Sequence, residues 1–142
     1  MTWRQAVVER ALSYVGTPYL HQGRLPGLGL DCYGVVGCAF REAGCALPMR
    51  ADYSEAPSQA ELYRWIDTHF AHISATNLCP GDVLVFRMVV EAQHMALVVD
   101  INPVSLVHAY RRVGRVVRHD LVAPWSGLLM SAHALKDGSW AE

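Results

Sequence analysis

Four cysteines and seven histidines stand in a chain of 142 residues, and one cysteine has the surroundings of a nucleophile. Cys32 follows Asp31, a good N-cap residue, and opens the apolar segment CYGVVGCAFREAG, which places it in the first turn of a helix. Unpaired backbone N–H groups and the helix macrodipole favour a thiolate there. The preceding stretch GTPYLHQGRLPGLGL leaves the sulfur approachable, and Gly34 lets a substrate backbone come close. Any cysteine can instead serve as a small buried hydrophobe. That reading suits Cys38 in the body of the helix, Cys45 after Gly44 and Cys79 before Pro80 better than it suits Cys32.

A thiol nucleophile needs a base within hydrogen-bond reach and a third group to orient that base. His94 opens the run HMALVVD, in which Ala96 and Val98 share its face. The chain then turns at Asp100-Ile101-Asn102-Pro103, and a hairpin centred there brings His94 within one place of His108. A shift of one residue decides whether the two rings share a face, so the sequence alone leaves that geometry open. His21, His69, His72, His119 and His133 lack such a placement and read as structural, His21 being nearest in sequence to Cys32. No C-x-x-C or H-x-x-x-H spacing is present, so neither a metal centre nor a cofactor is expected.

These side chains need elements to hold them. Apolar residues from Thr2 to about Val15 recur at helical spacing, with Thr2 as N-cap and Gly16 as stop. A loop follows from Gly16 to Leu30, too rich in glycine and proline for a regular element. The second helix runs from Cys32 to a stop at Gly44, and LPMRADYSEAP reads as a turn. A third helix spans Ser58 to Phe70, with Ser58 and Glu61 placed as a capping box. The period then changes to that of strands, at Val83–Val90, His94–Asp100, Ser105–Tyr110, Arg115–His119 and Leu128–Leu135. One α+β domain over residues 1–142 is expected, with N-terminal helices packed on a mostly antiparallel sheet of five to six strands.

Net charge is −1 and the isoelectric point near 6.6, which argues against nucleic acid as partner. The densest basic run, Arg111-Arg112 with Arg115 and Arg118, reads as the solvated edge of a strand. Charged residues interrupt the apolar pattern of MTWRQAVVERALSYVG, so no secretion signal is expected, and no run has the length of a membrane span. Synthesis in the cytoplasm and reduced cysteines follow as expectations.

Six motifs in order carry a family resemblance: G-T-P-Y (16–19), D-C-Y-G (31–34), L-P (47–48), P-G-D-V-L-V-F (80–86), H-M-A-L-V-V-D (94–100) and V-H-A (107–109). Together they resemble the NlpC family of cell-wall endopeptidases, from the first helix to about Tyr110. The resemblance implies a papain-like fold, a Cys-His-His triad and cleavage of the amide between D-glutamate and a diamino acid in the peptidoglycan stem. By position it makes Cys32 the nucleophile, His94 the base and His108 the orienting residue. Tyr19 matches the family tyrosine near the oxyanion site, and Asp31 the acidic residue that meets the free amine of the stem. Tyr33 stands where the family usually has serine, which alters the substrate-binding surface. P-Y-L-H-Q-G with D-C-Y-G is most similar to phage and prophage tail members, implying delivery to the wall in a tail and other tail proteins as partners. A tail-assembly protein that does not need catalysis, and an acyltransferase or amidase on the same scaffold, are the alternatives.

Overall fold

The structure is a computed structural model that describes residues 2–49, 53, 58–88 and 91–136. Val89, Val90 and most of the turn before Ser58 lie outside the described residues.

Helix α1 (Trp3–Ser13) starts at a capping box in which Thr2 Oγ1 accepts from Gln5 N and Gln5 Oε1 accepts from Thr2 N. It is shorter than its apolar pattern: Tyr14 is the C-cap and Val15 lies outside it, 46% exposed. The loop expected to be irregular contains a short ribbon, β1 (Arg24–Leu25) paired with β2 (Gly29–Leu30). Gly23 permits it, because a Cβ there would come within 2.5 Å of Gly29 O. The glycines that argue against a regular element instead allow close backbone packing.

Helix α2 (Cys32–Glu42) is capped by Asp31 and closed by a Schellman turn, in which Cys45 N donates to Phe40 O and Gly44, at φ 107°, donates to Arg41 O. Its residues from Cys32 to Phe40 are all buried. Helix α3 (Gln59–His69) is capped by Ser58, and Phe70, expected to end it, starts strand β3 (Phe70–Ile73). The remaining elements are β4 (Val83–Met88), β5 (Glu91–Ile101), β6 (Val104–Tyr110), β7 (Arg115–Asp120), the short helix α4 (Trp125–Leu128) and β8 (Leu129–Leu135). Neither β3 nor α4 is legible as such in the sequence pattern.

The sheet has six strands in the order β3-β8-β4-β5-β6-β7, and neighbouring strands are antiparallel throughout. Its two faces differ. Val83, Val85, Met95, Leu97 and Val107 join the core under the helices, where burying a side chain such as Phe40 or Leu62 contributes roughly 1.5–3 kcal/mol. Leu84, Phe86, Ala96, Val98 and Leu106 form a smaller cluster on the other face, beneath Trp125 and Leu128. The architecture is the α+β arrangement expected from the sequence. No described helix is long and apolar enough to cross a membrane.

Candidate active site

Asp31 builds the start of α2. Its Oδ1 accepts from Gly34 N at 2.8 Å and Arg24 Nη1 at 2.9 Å, and its Oδ2 accepts from Gln22 N at 2.8 Å and from Tyr53 OH. The carboxylate lines the cleft but is only 2% exposed, with both oxygens already engaged inside the protein. Gly34 serves this packing: a Cβ on it would lie 2.3 Å from Gly23 O. The close approach it permits is by its own loop, not by a substrate backbone as the sequence suggested.

Cys32 and His94 line one cleft of about 200 Å³, together with Tyr19, Asp31, Tyr33, Tyr53 and Tyr110. Tyr19 is held there by its N–H, which donates to Gly114 O in the β6–β7 turn at 2.9 Å. Tyr33 packs its ring against Tyr53 at 4.5 Å and against Trp65 at 5.5 Å, so it is a wall of the cleft. His21 joins the same cleft, edge-on to Tyr53. Cys38 and Cys45 are buried and Cys79 exposed, all as free thiols. A larger hollow of about 560 Å³ between α1 and Pro80 holds Arg4 and Glu9 but no thiol or imidazole.

His108 does not reach the cleft; it stands behind His94. Strand β5 pairs with β6 at Leu97↔Val107 and Val98↔Leu106, one residue away from the register that sequence symmetry suggested. In this register His94 and His108 fall on the same face. His94 Nε2 and His108 Nδ1 are 2.6 Å apart, and His108 Nε2 is 2.8 Å from Nε2 of His119 on β7. His119 Nδ1 is 2.9 Å from Asp120 O. The Trp125 ring of α4 covers this row, 4.7 Å from His108 and 5.6 Å from His94 and His119.

The row has a direction. A carbonyl oxygen can only accept, so His119 carries its proton on Nδ1, and a neutral His119 then presents a bare Nε2. His108 must donate to it from Nε2, which leaves His108 Nδ1 bare to accept from His94 Nε2–H. The free nitrogen of His94 is therefore Nδ1, unprotonated, as a general base requires. Sequence alone makes His119 a structural residue. The signal that places it is the β6–β7 register, Leu106↔His119 and His108↔Val117, which sets its ring diagonally beside His108.

Burial raises the Cys32 thiol to about 12, reinforced by the neighbouring Asp31 carboxylate. Backbone amides of Met95 and Tyr33, and the Arg24 guanidinium, act in the opposite sense without overcoming it. The thiolate expected from the helix start alone is thus not the resting form, because desolvation outweighs the helix terminus. Burial likewise lowers His94 to about 4, with His119 adding to it, and lowers His108 to about 2. Both groups that line the cleft are thus held toward their neutral forms, a thiol and an imidazole. Such a pair can pass the thiol proton to His94 as the sulfur attacks.

Asp67, His72 and His133 form the one described trio of His, Cys, Asp or Glu side chains whose donor atoms, all within 4.8 Å of one another, could share a cation. It lies on α3, β3 and β8, at the far edge of the sheet from His119.

Comparison with known proteins agrees with the fold. The NlpC/P60 family model matches residues 16–132. A probable endopeptidase of Mycobacterium tuberculosis is 34% identical over 121 residues, covering 85% of this chain and 28% of its own length. The gamma-DL-glutamyl hydrolase of Bacillus subtilis is 33% identical over 81 residues, covering 56% of this chain and 17% of its own. This chain thus spans under a third of these relatives. Among solved structures, a lipoprotein-like NLP/P60 protein of Staphylococcus aureus superposes with a TM-score of 0.70 at 23% identity, over 94% of this chain and 41% of its own. RipD of M. tuberculosis, a non-catalytic NlpC/p60 domain protein adapted to peptidoglycan binding, gives 0.64 at 16% identity, over 94% and 97% of the two chains. With a family match over most of its length and the corresponding fold, this chain belongs to the NlpC/P60 family.

Proposed function

We propose that the chain is a cysteine endopeptidase that hydrolyses peptide stems of bacterial peptidoglycan at the amide joining D-glutamate to a diamino acid. One observation carries the reading: Cys32 and His94 line the same cleft, and His94 has its second nitrogen held by His108. The bond is suggested by relatives named as a gamma-DL-glutamyl hydrolase and a muramidase/DL-endopeptidase.

In this mechanism His94 Nδ1 takes the Cys32 proton as sulfur attacks the carbonyl carbon. The imidazolium then protonates the leaving amine, which departs and leaves a thioester. Water, deprotonated by His94, attacks the thioester and releases the carboxylate and the free thiol. Tyr19 lies at the cleft where the developing oxyanion is bound. Asp31 acts first as the cap that fixes Cys32 and Arg24, and a substrate amine would meet its carboxylate only in competition with Arg24 and Tyr53. Tyr33, fixed between Tyr53 and Trp65, narrows the cleft where serine is usual.

Incubating purified peptidoglycan with the wild type and with Cys32→Ala, then weighing the released fragments by mass spectrometry, tests the proposal. Fragments ending in D-glutamate from the wild type alone support it; identical profiles refute it. A second reading, a tail component that binds the wall without cutting it, is favoured by the non-catalytic RipD sharing this fold. Delivery in a phage-like tail after cytoplasmic synthesis is part of the proposal and rests on the 18–23 and 31–34 motifs.

A further inference from the structure

The histidines at the other edge of the sheet take no part in this chemistry. Strands β3 and β8 pair with His72 directly opposite His133, which puts both rings on one face, their centroids 4.3 Å apart. The last turn of α3 brings Asp67 Oδ1 to 3.1 Å from His72 Nε2. His133 is fully buried. Its Nε2 lies 2.8 Å from Ser131 Oγ, which is 2.7 Å from Tyr63 OH, while its Nδ1 has no hydrogen-bond partner. A buried ring nitrogen without a partner is energetically unfavourable. Because Ser131 holds Nε2, Nδ1 is the nitrogen left for a ligand.

We propose that Asp67, His72 and His133 bind a late first-row divalent cation of the zinc class, clipping α3 and the edge strand β3 to β8. Two imidazole nitrogens and one carboxylate oxygen suit zinc, cobalt or nickel; calcium and magnesium prefer all-oxygen sites. Three protein ligands leave a fourth, tetrahedral position for water. The surroundings of His133 also fit. A metal on Nδ1 requires the tautomer protonated on Nε2, and Ser131 Oγ can accept that proton while its own hydroxyl turns to Tyr63, the kind of outer partner that fixes a ligating histidine. Metal–donor distances of about 2.0–2.2 Å place donors roughly 3–3.6 Å apart. Donors now up to 4.8 Å apart must draw inward, and the side chains of Asp67 and His72, 52% and 61% exposed, are free to do so. No motif announces this site, because its ligands come from three separate elements with no compact spacing.

Calorimetric titration of the metal-free chain with Zn²⁺, with Co²⁺ absorption spectra and melting curves alongside, tests the site. The expected result is one saturable equivalent, a raised melting temperature, and a cobalt spectrum without a thiolate charge-transfer band. His72→Ala and Asp67→Asn, both at exposed positions, should weaken binding at least tenfold and abolish the thermal shift, while Cys32→Ser should change neither. Failure of the wild type to saturate, undiminished binding by His72→Ala, or loss of binding in Cys32→Ser would each overturn the proposal. None of these readings depends on peptidase activity, so the site stands or falls separately from the proposed reaction.

Discussion

The sheet carries histidines at both ends of its strand order, and the two groups are wired differently. Toward β7, His94, His108 and His119 satisfy one another ring to ring and finish on the Asp120 carbonyl, leaving one bare nitrogen on His94, which lines the cleft. At β3 and β8, His133 is anchored on one side by Ser131 and has a buried nitrogen with no partner. In the proposed readings, identical side chains on the same sheet serve proton transfer in one place and a cation in the other. What separates them is the last acceptor in the chain of bonds: a carbonyl imposes one tautomer, whereas a serine hydroxyl accepts either.

The largest effect that would break this contrast is on catalysis. His94→Ala should lower kcat/KM for stem-peptide hydrolysis by about 10²–10⁴-fold, the usual contribution of a general base; His133→Asn, at the other edge, should leave kcat within a few-fold if the protein folds. Acid should come next. His94 and His108 have folded values far below the ordinary 6.5, so the unfolded chain binds more protons than the folded one as pH falls below 6.5. Their contribution to stability is fully present above 6.5 and is lost progressively down to about 4 and below, a loss on the order of several kcal/mol measurable by urea unfolding across that range. Over the same range kcat/KM should hold until His94 protonates near 4, not near 6.5.

Smaller effects sharpen the picture. Gly34→Ala forces a Cβ onto Gly23 O and should cost roughly 1–3 kcal/mol in chemical denaturation while displacing the start of α2. His119→Leu removes the acceptor that sets the direction of the row and should lower kcat about tenfold, the value of one hydrogen bond of roughly 1.4 kcal/mol. His119→Gln, whose amide oxygen can accept from His108, should recover most of it. Nitrogen-15 spectra of His94 provide the decisive readout, with Nδ1 bare in the wild type and the Gln variant but mixed in the Leu variant.

Local chemistry made much of this legible in advance. Asp31 as cap, Cys32 at the first turn and the Gly44 stop each depend on neighbours within a few residues, and all three are where the sequence placed them. Quantities set by tertiary packing were not legible. The hairpin register was off by one because the chain turns later than expected, closing at Ile101↔Val104, and a bulge between Val98 and Asp100 takes back only part of that shift; no local signal announces either. Strand β3 was hidden because Phe70 continues the apolar face of α3 before turning into the sheet. The thiol's ionisation was misjudged because the helix terminus is visible in sequence and the burial of the sulfur is not.

Cys32 as nucleophile is the claim on which the reaction rests, and trapping the thioester addresses it most directly. The chain is mixed with a stem peptide, quenched in acid within one turnover and weighed intact, with the adduct mapped by digestion. A mass gain equal to the acyl portion of the peptide, located on Cys32 and missing in Cys32→Ala, is predicted. Stem cleavage by Cys32→Ala at the wild-type rate, with no adduct on either protein, would contradict it.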